Sequence, residues 1–167
     1  MVREPEEIVK RYQGYRPVRR YNGLTRSQAY ELERTAYERL EPCPHVPSIV
    51  RCDDETCKLT LEHRGTSLDR LRRNRAFIAV PDVDAQIRTI ARALDDAKIV
   101  HLDVLPKNLC YDERTGRISL IDFDMAVLDD APMTKTLRDL YETQKASGDT
   151  HETLLRKAVS EILVQTP

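Results

Sequence analysis

The chain has 167 residues, a length typical of a single domain that is large enough to bury a hydrophobic core. Its 27 Lys and Arg residues nearly balance its 28 Asp and Glu residues, which excludes a basic field over the whole chain and leaves only a local patch for nucleic acid. No apolar run could span a bilayer and the acidic N-terminus does not resemble a signal peptide, so we expect a cytoplasmic or nuclear protein without a membrane partner.

The first part of the chain is predicted to form two short strands followed by a helix. Residues 8–11 and 15–21 have strand-like composition, and Gly14 between them suits a turn. The helix begins at a capping region that contains Thr25 and Ser27. One face of this helix carries Tyr30, Glu33, Tyr37 and Leu40.

The acidic residue in the middle of that apolar face is informative. Glu33 lies between Tyr30 and Tyr37 along the stripe, and a carboxylate that points into a core is costly unless it is paired. We therefore expect a cationic partner for Glu33 elsewhere in the chain. The alternative is that Glu33 lies at the edge of the stripe, where it keeps its contact with water.

The middle of the chain is predicted to contain two more strands and two helices. The strands are expected at 48–50 and 57–62, where the residues alternate between apolar and polar. A turn at 64–66 leads to a short helix that begins at Ser67. A stronger amphipathic helix is expected from about Asp82 to Lys98, because its apolar residues recur with helical spacing.

The last part of the chain is predicted to contain a hairpin and two helices. The hairpin arms are expected at 109–111 and 117–123, with the turn between them. The helices carry apolar stripes formed by Met133, Leu137, Leu140 and Tyr141, and by Leu155, Val159 and Ile162. The first part of the chain is rich in predicted strands and the last part is rich in predicted helices, which together predict an α+β fold in two lobes.

Three polar side chains near the hairpin suggest a site for a divalent cation. Asp103 and Asn108 lie on one predicted loop, and Asp122 lies on the strand that is predicted to follow. The neighbours of Asp122 are apolar, which indicates that this carboxylate is not an ordinary exposed surface residue. Carboxylate and amide oxygens are ligands that Mg²⁺ prefers. Phosphoryl transfer needs such a metal ion, together with a carboxylate that orients the attacking hydroxyl and accepts its proton. The sequence therefore predicts a phosphoryl-transfer site around a shared magnesium ion.

The same residues resemble the signature elements of protein kinases. His101-Leu102-Asp103 with Asn108 is similar to H-R-D-x-x-x-x-N, and Asp122-Phe123-Asp124 is similar to D-F-G. The nearest likeness is to small fungal-type kinase-like proteins, in which Y-E-R-L, a following H-x-P and D-F-D-x-A are familiar. A reduced kinase family linked to tRNA modification is a more distant match. The likeness covers roughly residues 8–128.

This resemblance implies a fold, cofactors and a substrate class. The fold would be a bilobal protein-kinase-like domain over residues 1–167, with a minimal sheet and one helix in an N-lobe of residues 1–63. Residues 64–167 would form a truncated helical C-lobe. The cofactors would be ATP and Mg²⁺, and the substrate would be a protein or a small hydroxyl compound.

The resemblance also implies roles for individual residues. Asp103 would be the catalytic base, and Asn108 and Asp122 would be the magnesium ligands. Five residues would bind the nucleotide or shape its site: Arg20, Glu33, Glu62, His63 and Lys107. Of these, Glu33 would pair with the basic residue of a strand, and Glu62 and His63 would lie at the adenine-binding hinge.

Several positions depart from the kinase pattern. The strand that should carry a Lys has Arg20, two residues after Val18 on the same face, with Arg19 as the alternative. No glycine-rich phosphate loop is visible, and Leu105 occupies the position where Ser/Thr protein kinases carry Lys. Arginine keeps the positive charge, but its planar fork does not simply replace an ammonium. These departures predict altered placement of ATP.

The sequence therefore leaves two main functions open. An active phosphotransferase is favoured because Asp103, Asn108 and Asp122 are all present. A pseudokinase, which would bind nucleotide or a protein partner without transfer, is favoured by Arg in place of Lys and by the missing glycine-rich loop.

A zinc-containing interaction domain is a third alternative. Its ligands would be Cys43, His45, Cys52 and Cys57. Their spacing, C-x-H-x6-C-x4-C, lacks the C-x2-C pair of most structural zinc sites, so we expect ordinary reduced thiols and a loop histidine instead.

Overall fold

The computed structural model describes residues 7–12, 22–75 and 78–163, and these residues form a mixed α+β fold, as predicted. The strands are β1 (Glu7–Arg11), β2 (Ile49–Asp53), β3 (Lys58–Glu62), β4 (Thr66–Ser67), β5 (Ile99–His101), β6 (Leu109–Asp112), β7 (Arg117–Leu120) and β8 (Ala126–Leu128). The helices are α1 (Arg26–Leu40), α2 (Leu68–Arg73), α3 (Val83–Asp96), α4 (Lys135–Ser147) and α5 (His151–Leu163), with a 3₁₀ turn at Pro106–Asn108. Within these ranges, no helix has the length and apolarity needed to cross a membrane.

The strands form three small sheets, of which the first carries part of the candidate site. This sheet is antiparallel with the order β1-β3-β2, and the others have the orders β4-β6-β7 and β5-β8. In the first sheet Lys10 lies opposite Leu59, which is fully buried. Because directly opposed residues of an antiparallel pair share a face, Lys10 is directed toward the interior.

Helix α1 connects the first sheet with the rest of the molecule. It begins with a capping box, in which the Thr25 hydroxyl accepts a hydrogen bond from the Gln28 N–H and the Gln28 side chain accepts one from the Thr25 N–H. Its predicted face is buried, and the helix packs against both β3 and β8. Glu33 is on this face and is fully buried, so the alternative that it lies at the edge of the stripe is wrong.

The structure differs from the predicted hairpin at the second arm. The arm was expected at 117–123, but β7 ends at Leu120. Asp122 has a φ of +69°, which lies in the left-handed region and cannot continue a strand. The predicted strand at 15–21 lies outside the described residues.

Gly65 allows a close approach between the segment after β3 and the strand β6. Its φ is +91°, and a Cβ atom at this position would lie 2.1 Å from the Tyr111 carbonyl oxygen. Only glycine fits this position without a shift of the backbone. The segment 63–65 is thereby held against strand β6 of the sheet β4-β6-β7.

Candidate functional site

The buried carboxylate of Glu33 is the centre of the site. It accepts hydrogen bonds from the Lys10 ammonium at 2.5 Å, from the Phe123 N–H at 3.2 Å and from the Tyr12 hydroxyl. The cationic partner predicted for Glu33 is therefore present. Three donors from three segments offset the cost of burying this charge.

Lys10 joins Glu33 to a second carboxylate. Its Nζ atom lies 2.6 Å from Asp122 Oδ1, so one ammonium bridges helix α1 and the loop that follows β7. Burial opposes the charge, but the carboxylates of Glu33 and Asp122 outweigh it and hold the pKa of Lys10 above its usual range. The Lys10 side chain keeps 28% of its surface exposed, and that of Asp122 keeps 33%, so solutes can reach the bridge.

Lys10 makes the contact that was predicted for Arg20. Both Arg20 and its alternative Arg19 lie outside the described residues. The sequence contained a signal for Lys10, because Ile8-Val9-Lys10 has the same apolar-x-cation order as Val18-Arg19-Arg20. The composition of residues 8–11 predicts the strand β1, but composition alone does not indicate which carboxylate its Lys10 contacts.

The backbone of residues 122–124 is held by side chains of α1 and of the segment before it. The Asp122 N–H donates to the Tyr37 hydroxyl at 3.1 Å, and the Phe123 N–H donates to Glu33. The Asp124 carbonyl accepts a hydrogen bond from the buried Asn22 side chain at 2.6 Å. Three consecutive residues are thus fixed by three side chains.

Asp103 is surrounded by donors on its own loop. The Asn108 amide donates to the Asp103 carbonyl and to its carboxylate, both at 2.9 Å, and the Lys107 ammonium lies 2.8 Å from the same carboxylate oxygen. The Asp103 N–H donates to His101 Nδ1, and His101 Nε2 donates to the Ile121 carbonyl. Burial lowers the pKa of His101, which favours the neutral ring. Through its two hydrogen bonds this ring connects Asp103 with Ile121.

The loop of Asp103 and the segment of Asp122 are neighbours. The Ile121 N–H donates to the Asn108 carbonyl at 2.9 Å, directly beside Asp122. The Asp103 carboxylate raises the pKa of Lys107, and Asp122 adds a smaller contribution, so both carboxylates lie within electrostatic reach of this ammonium. The Asp103 side chain keeps 23% of its surface exposed. Solvent therefore reaches the carboxylates of Asp103 and Asp122 and the ammonium groups of Lys10 and Lys107.

This set of groups suits a magnesium ion with a polyphosphate. Asp122 and Asn108 carry oxygen atoms of the kind that Mg²⁺ prefers, on segments that the hydrogen bond from Ile121 to Asn108 joins. Few protein ligands are expected for magnesium, because phosphates and water complete its coordination. Lys10 and Lys107 are cations that phosphate oxygens can approach. The residues present therefore fit the cofactors expected from the sequence.

Glu62 and His63 lie where strand β3 leads into the segment 63–65. The Glu62 N–H donates to the Ser48 carbonyl within the sheet, and its carboxylate pairs with Arg64 at 2.8 Å. The Glu62 side chain therefore has a structural partner, and its predicted contact with nucleotide stays a prediction, as does that of His63.

The zinc alternative is wrong, because its four residues do not form a group that could hold a metal ion. Cys43 is buried while Cys52 is exposed, and His45 Nδ1 donates to the Ile118 carbonyl at 2.8 Å. Over residues 7–12, 22–75 and 78–163, no cluster of three or more His, Cys, Asp or Glu side chains is suited to a metal. His45 thus fixes its loop to strand β7.

No family model matches the chain, and no curated protein matches it. Among solved structures, that of the kinase PK-1 of Cydia pomonella granulovirus is similar, with 22% sequence identity and a TM-score of 0.47. The similar region covers 63% of this chain and 41% of the viral kinase, so the chain spans less than half the length of that protein. A likeness this remote carries no argument about function, which has to come from the side chains of the site.

Proposed function

We propose that the chain is an ATP- and magnesium-dependent phosphotransferase of the protein-kinase-like type, which acts on a hydroxyl group of a protein or a small molecule. The observation that supports this function best is the bridge from Lys10 to Glu33 and Asp122. Lys10 is a cation to which phosphate oxygens could bind, and it lies 2.6 Å from Asp122, the proposed metal ligand, while Glu33 of α1 holds it from the buried side.

Lys10 and Glu33 act together in this proposal. Glu33 holds the ammonium in place from its buried side, and the exposed side of Lys10 is then free to bind phosphate oxygens when nucleotide arrives. Asp122 and Asn108 would hold the magnesium ion. When bound, this ion neutralises the charge of the phosphates, which is the main requirement of phosphoryl transfer.

Asp103 orients the attacking hydroxyl and accepts its proton. As the new bond forms between the hydroxyl oxygen and the γ-phosphorus, the bond from that phosphorus to the ADP oxygen breaks, and the hydroxyl proton moves to the Asp103 carboxylate. Lys107 lies next to this carboxylate and supplies positive charge for the transferred group. Asn108 fixes the orientation of Asp103 through its amide.

Adenine would bind at the segment after β3, through backbone groups near Glu62 and His63. This placement divides the domain into a smaller N-terminal lobe up to residue 63 and a larger lobe from residue 64, with the nucleotide between them. Gly65 supports the placement, because its close contact with Tyr111 fixes the segment between the two parts.

A nucleotide-binding module without transfer activity is the second candidate. It is favoured by the environment of Asp103, where Asn108 and Lys107 both contact Oδ2 of the carboxylate. Two donors on one oxygen leave less of that oxygen available to accept the proton of a substrate hydroxyl. The two candidates share the nucleotide site and differ only in the transfer step.

Thermal unfolding with ATP, in the presence and absence of Mg²⁺, tests the shared site. ATP and Mg²⁺ at a hundredfold excess over the dissociation constant should stabilise the protein by about 2.7 kcal/mol, which raises the melting temperature of a domain of this size by roughly 5–10 °C. The Asp122→Asn variant should lose the magnesium-dependent part of this increase. An equal increase in wild type and variant, or none in wild type, would contradict the proposal.

A further inference from the structure

We infer that Tyr37 is a positioning residue for the proposed function, because its hydroxyl fixes the backbone conformation in which Asp122 faces the metal. This inference rests on the proposed function and adds a residue to it that carries no charge and does not touch the reacting groups.

The conformation of Asp122 requires support from its surroundings. Its φ of +69° belongs to the left-handed region, which residues other than glycine occupy rarely and at a cost in free energy. A residue other than glycine keeps this conformation only when contacts with its neighbours stabilise it. The Asp122 N–H donates to the Tyr37 hydroxyl at 3.1 Å, and this bond fixes the peptide group that precedes the strained residue.

Tyr37 is suited to accept this hydrogen bond. Its side chain is almost completely buried on α1, one turn after Glu33. Burial, together with the nearby charge of Glu33, raises the pKa of Tyr37 well above its usual range. The hydroxyl oxygen accepts the Asp122 N–H in the structure, and an uncharged acceptor does not repel the Asp122 carboxylate.

The ring and the hydroxyl of Tyr37 have separate contacts. The ring packs edge-on against Phe123, with 5.0 Å between the ring centroids. The hydroxyl bonds the backbone of Asp122. Replacement of tyrosine by phenylalanine therefore removes the hydrogen bond to Asp122 and keeps the aromatic pair.

Nucleotide binding by Tyr37→Phe, measured with and without Mg²⁺, tests the inference. The ratio of the ATP dissociation constant in EDTA to that in Mg²⁺ isolates the contribution of the metal site. We expect this ratio to fall about tenfold in the variant, as for the loss of one well-placed hydrogen bond, while the dissociation constant in EDTA stays within twofold of wild type. A merely structural role would change both constants equally.

Tyr30→Phe is the matched control, because it removes a hydroxyl from the same helix. The Tyr30 hydroxyl bonds Asp54, which is not part of the site, so the ratio should stay at the wild-type value. An unchanged ratio in Tyr37→Phe, or an equal fall in Tyr30→Phe, would overturn the inference alone. A wild-type protein that shows no magnesium-dependent binding would overturn the proposed function, and this inference with it. Tyr37→Met, which fills a similar volume without a hydroxyl, serves if the phenylalanine variant does not fold.

Discussion

Replacing Glu33 with Gln is expected to lower the free energy of unfolding by about 3 kcal/mol, because it removes the negative partner of a buried ion pair and leaves the positive charge of Lys10 uncompensated. The neutral amide cannot offset the charge of Lys10, and its NH₂ group cannot accept hydrogen bonds from Lys10 or Tyr12. The partial exposure of Lys10 puts the expected loss at the lower end of the range for such pairs. Urea denaturation followed by circular dichroism measures the change.

Glu38→Gln provides the control on the same helix. The Glu38 carboxylate is more than half exposed and lies 3.8 Å from Arg34 Nε, so its replacement should change stability by no more than about 0.5 kcal/mol. A double variant, Lys10→Met with Glu33→Gln, should lose less stability than the sum of the single variants, because neither member of the Lys10–Glu33 pair is then left charged without the other. Strict additivity, or a loss below about 0.5 kcal/mol for Glu33→Gln, would contradict the role of this pair.

Replacing Asp103 with Asn is expected to slow phosphoryl transfer about 1,000-fold, which is within the range for the loss of a general base. The affinity for Mg²⁺-ATP should change by less than about threefold, because Asp103 contributes to the transition state more than to binding. The substitution keeps the backbone N–H that contacts His101 and the shape of the side chain. Because the acceptor is unidentified, magnesium-dependent formation of ADP from ATP, with water as acceptor, is the readout.

Asp139→Asn is a suitable control for the transfer assay, because Asp139 is exposed on α4. It should leave ADP formation unchanged. ADP formation that survives in Asp103→Asn would show that another residue is the base. A wild-type protein that binds Mg²⁺-ATP but forms no ADP would favour the binding module without transfer activity.

The part of the site between residues 101 and 124 could be predicted because it is local in sequence. Asp103 and Asn108 lie between β5, which ends at His101, and β6, and the hairpin of β6 and β7 returns the chain to this segment. Short loops and hairpins leave few arrangements open, so the spacing was sufficient to predict that these segments lie close together, while the roles of their residues stay predictions. The structure accordingly brings Ile121, the neighbour of Asp122, within hydrogen-bond distance of Asn108.

The role of Lys10 could not be predicted in the same way, because its contacts are distant in sequence. Lys10 is 23 residues from Glu33 and 112 residues from Asp122. Which basic residue meets Glu33 depends on the register of β1 against β3 and on the packing of α1, and periodicity specifies neither. The apolar-x-cation pattern occurs at both Lys10 and Arg20, so the pattern alone could not distinguish them.

The left-handed conformation of Asp122 could not be predicted from the sequence either. Leu120, Ile121 and Phe123 around Asp122 read as a continuation of the strand, and this favoured a hairpin arm up to residue 123. In the structure the contacts of Asp122 and Phe123 with Tyr37 and Glu33 override that local preference. Tertiary hydrogen bonds of this kind leave no signal in a single sequence.

The proposed function requires that one divalent cation binds at Asp122 and Asn108 beside the nucleotide. Electron paramagnetic resonance with Mn²⁺ in place of Mg²⁺ measures this most directly, because free and bound Mn²⁺ give different signals. We expect ADP to induce the binding of one Mn²⁺ ion to the wild-type protein and Asp122→Asn to abolish this binding, while Asp139→Asn retains it. Mn²⁺ binding that does not depend on ADP, or that persists unchanged in Asp122→Asn, would show that Asp122 does not hold a nucleotide-linked metal ion.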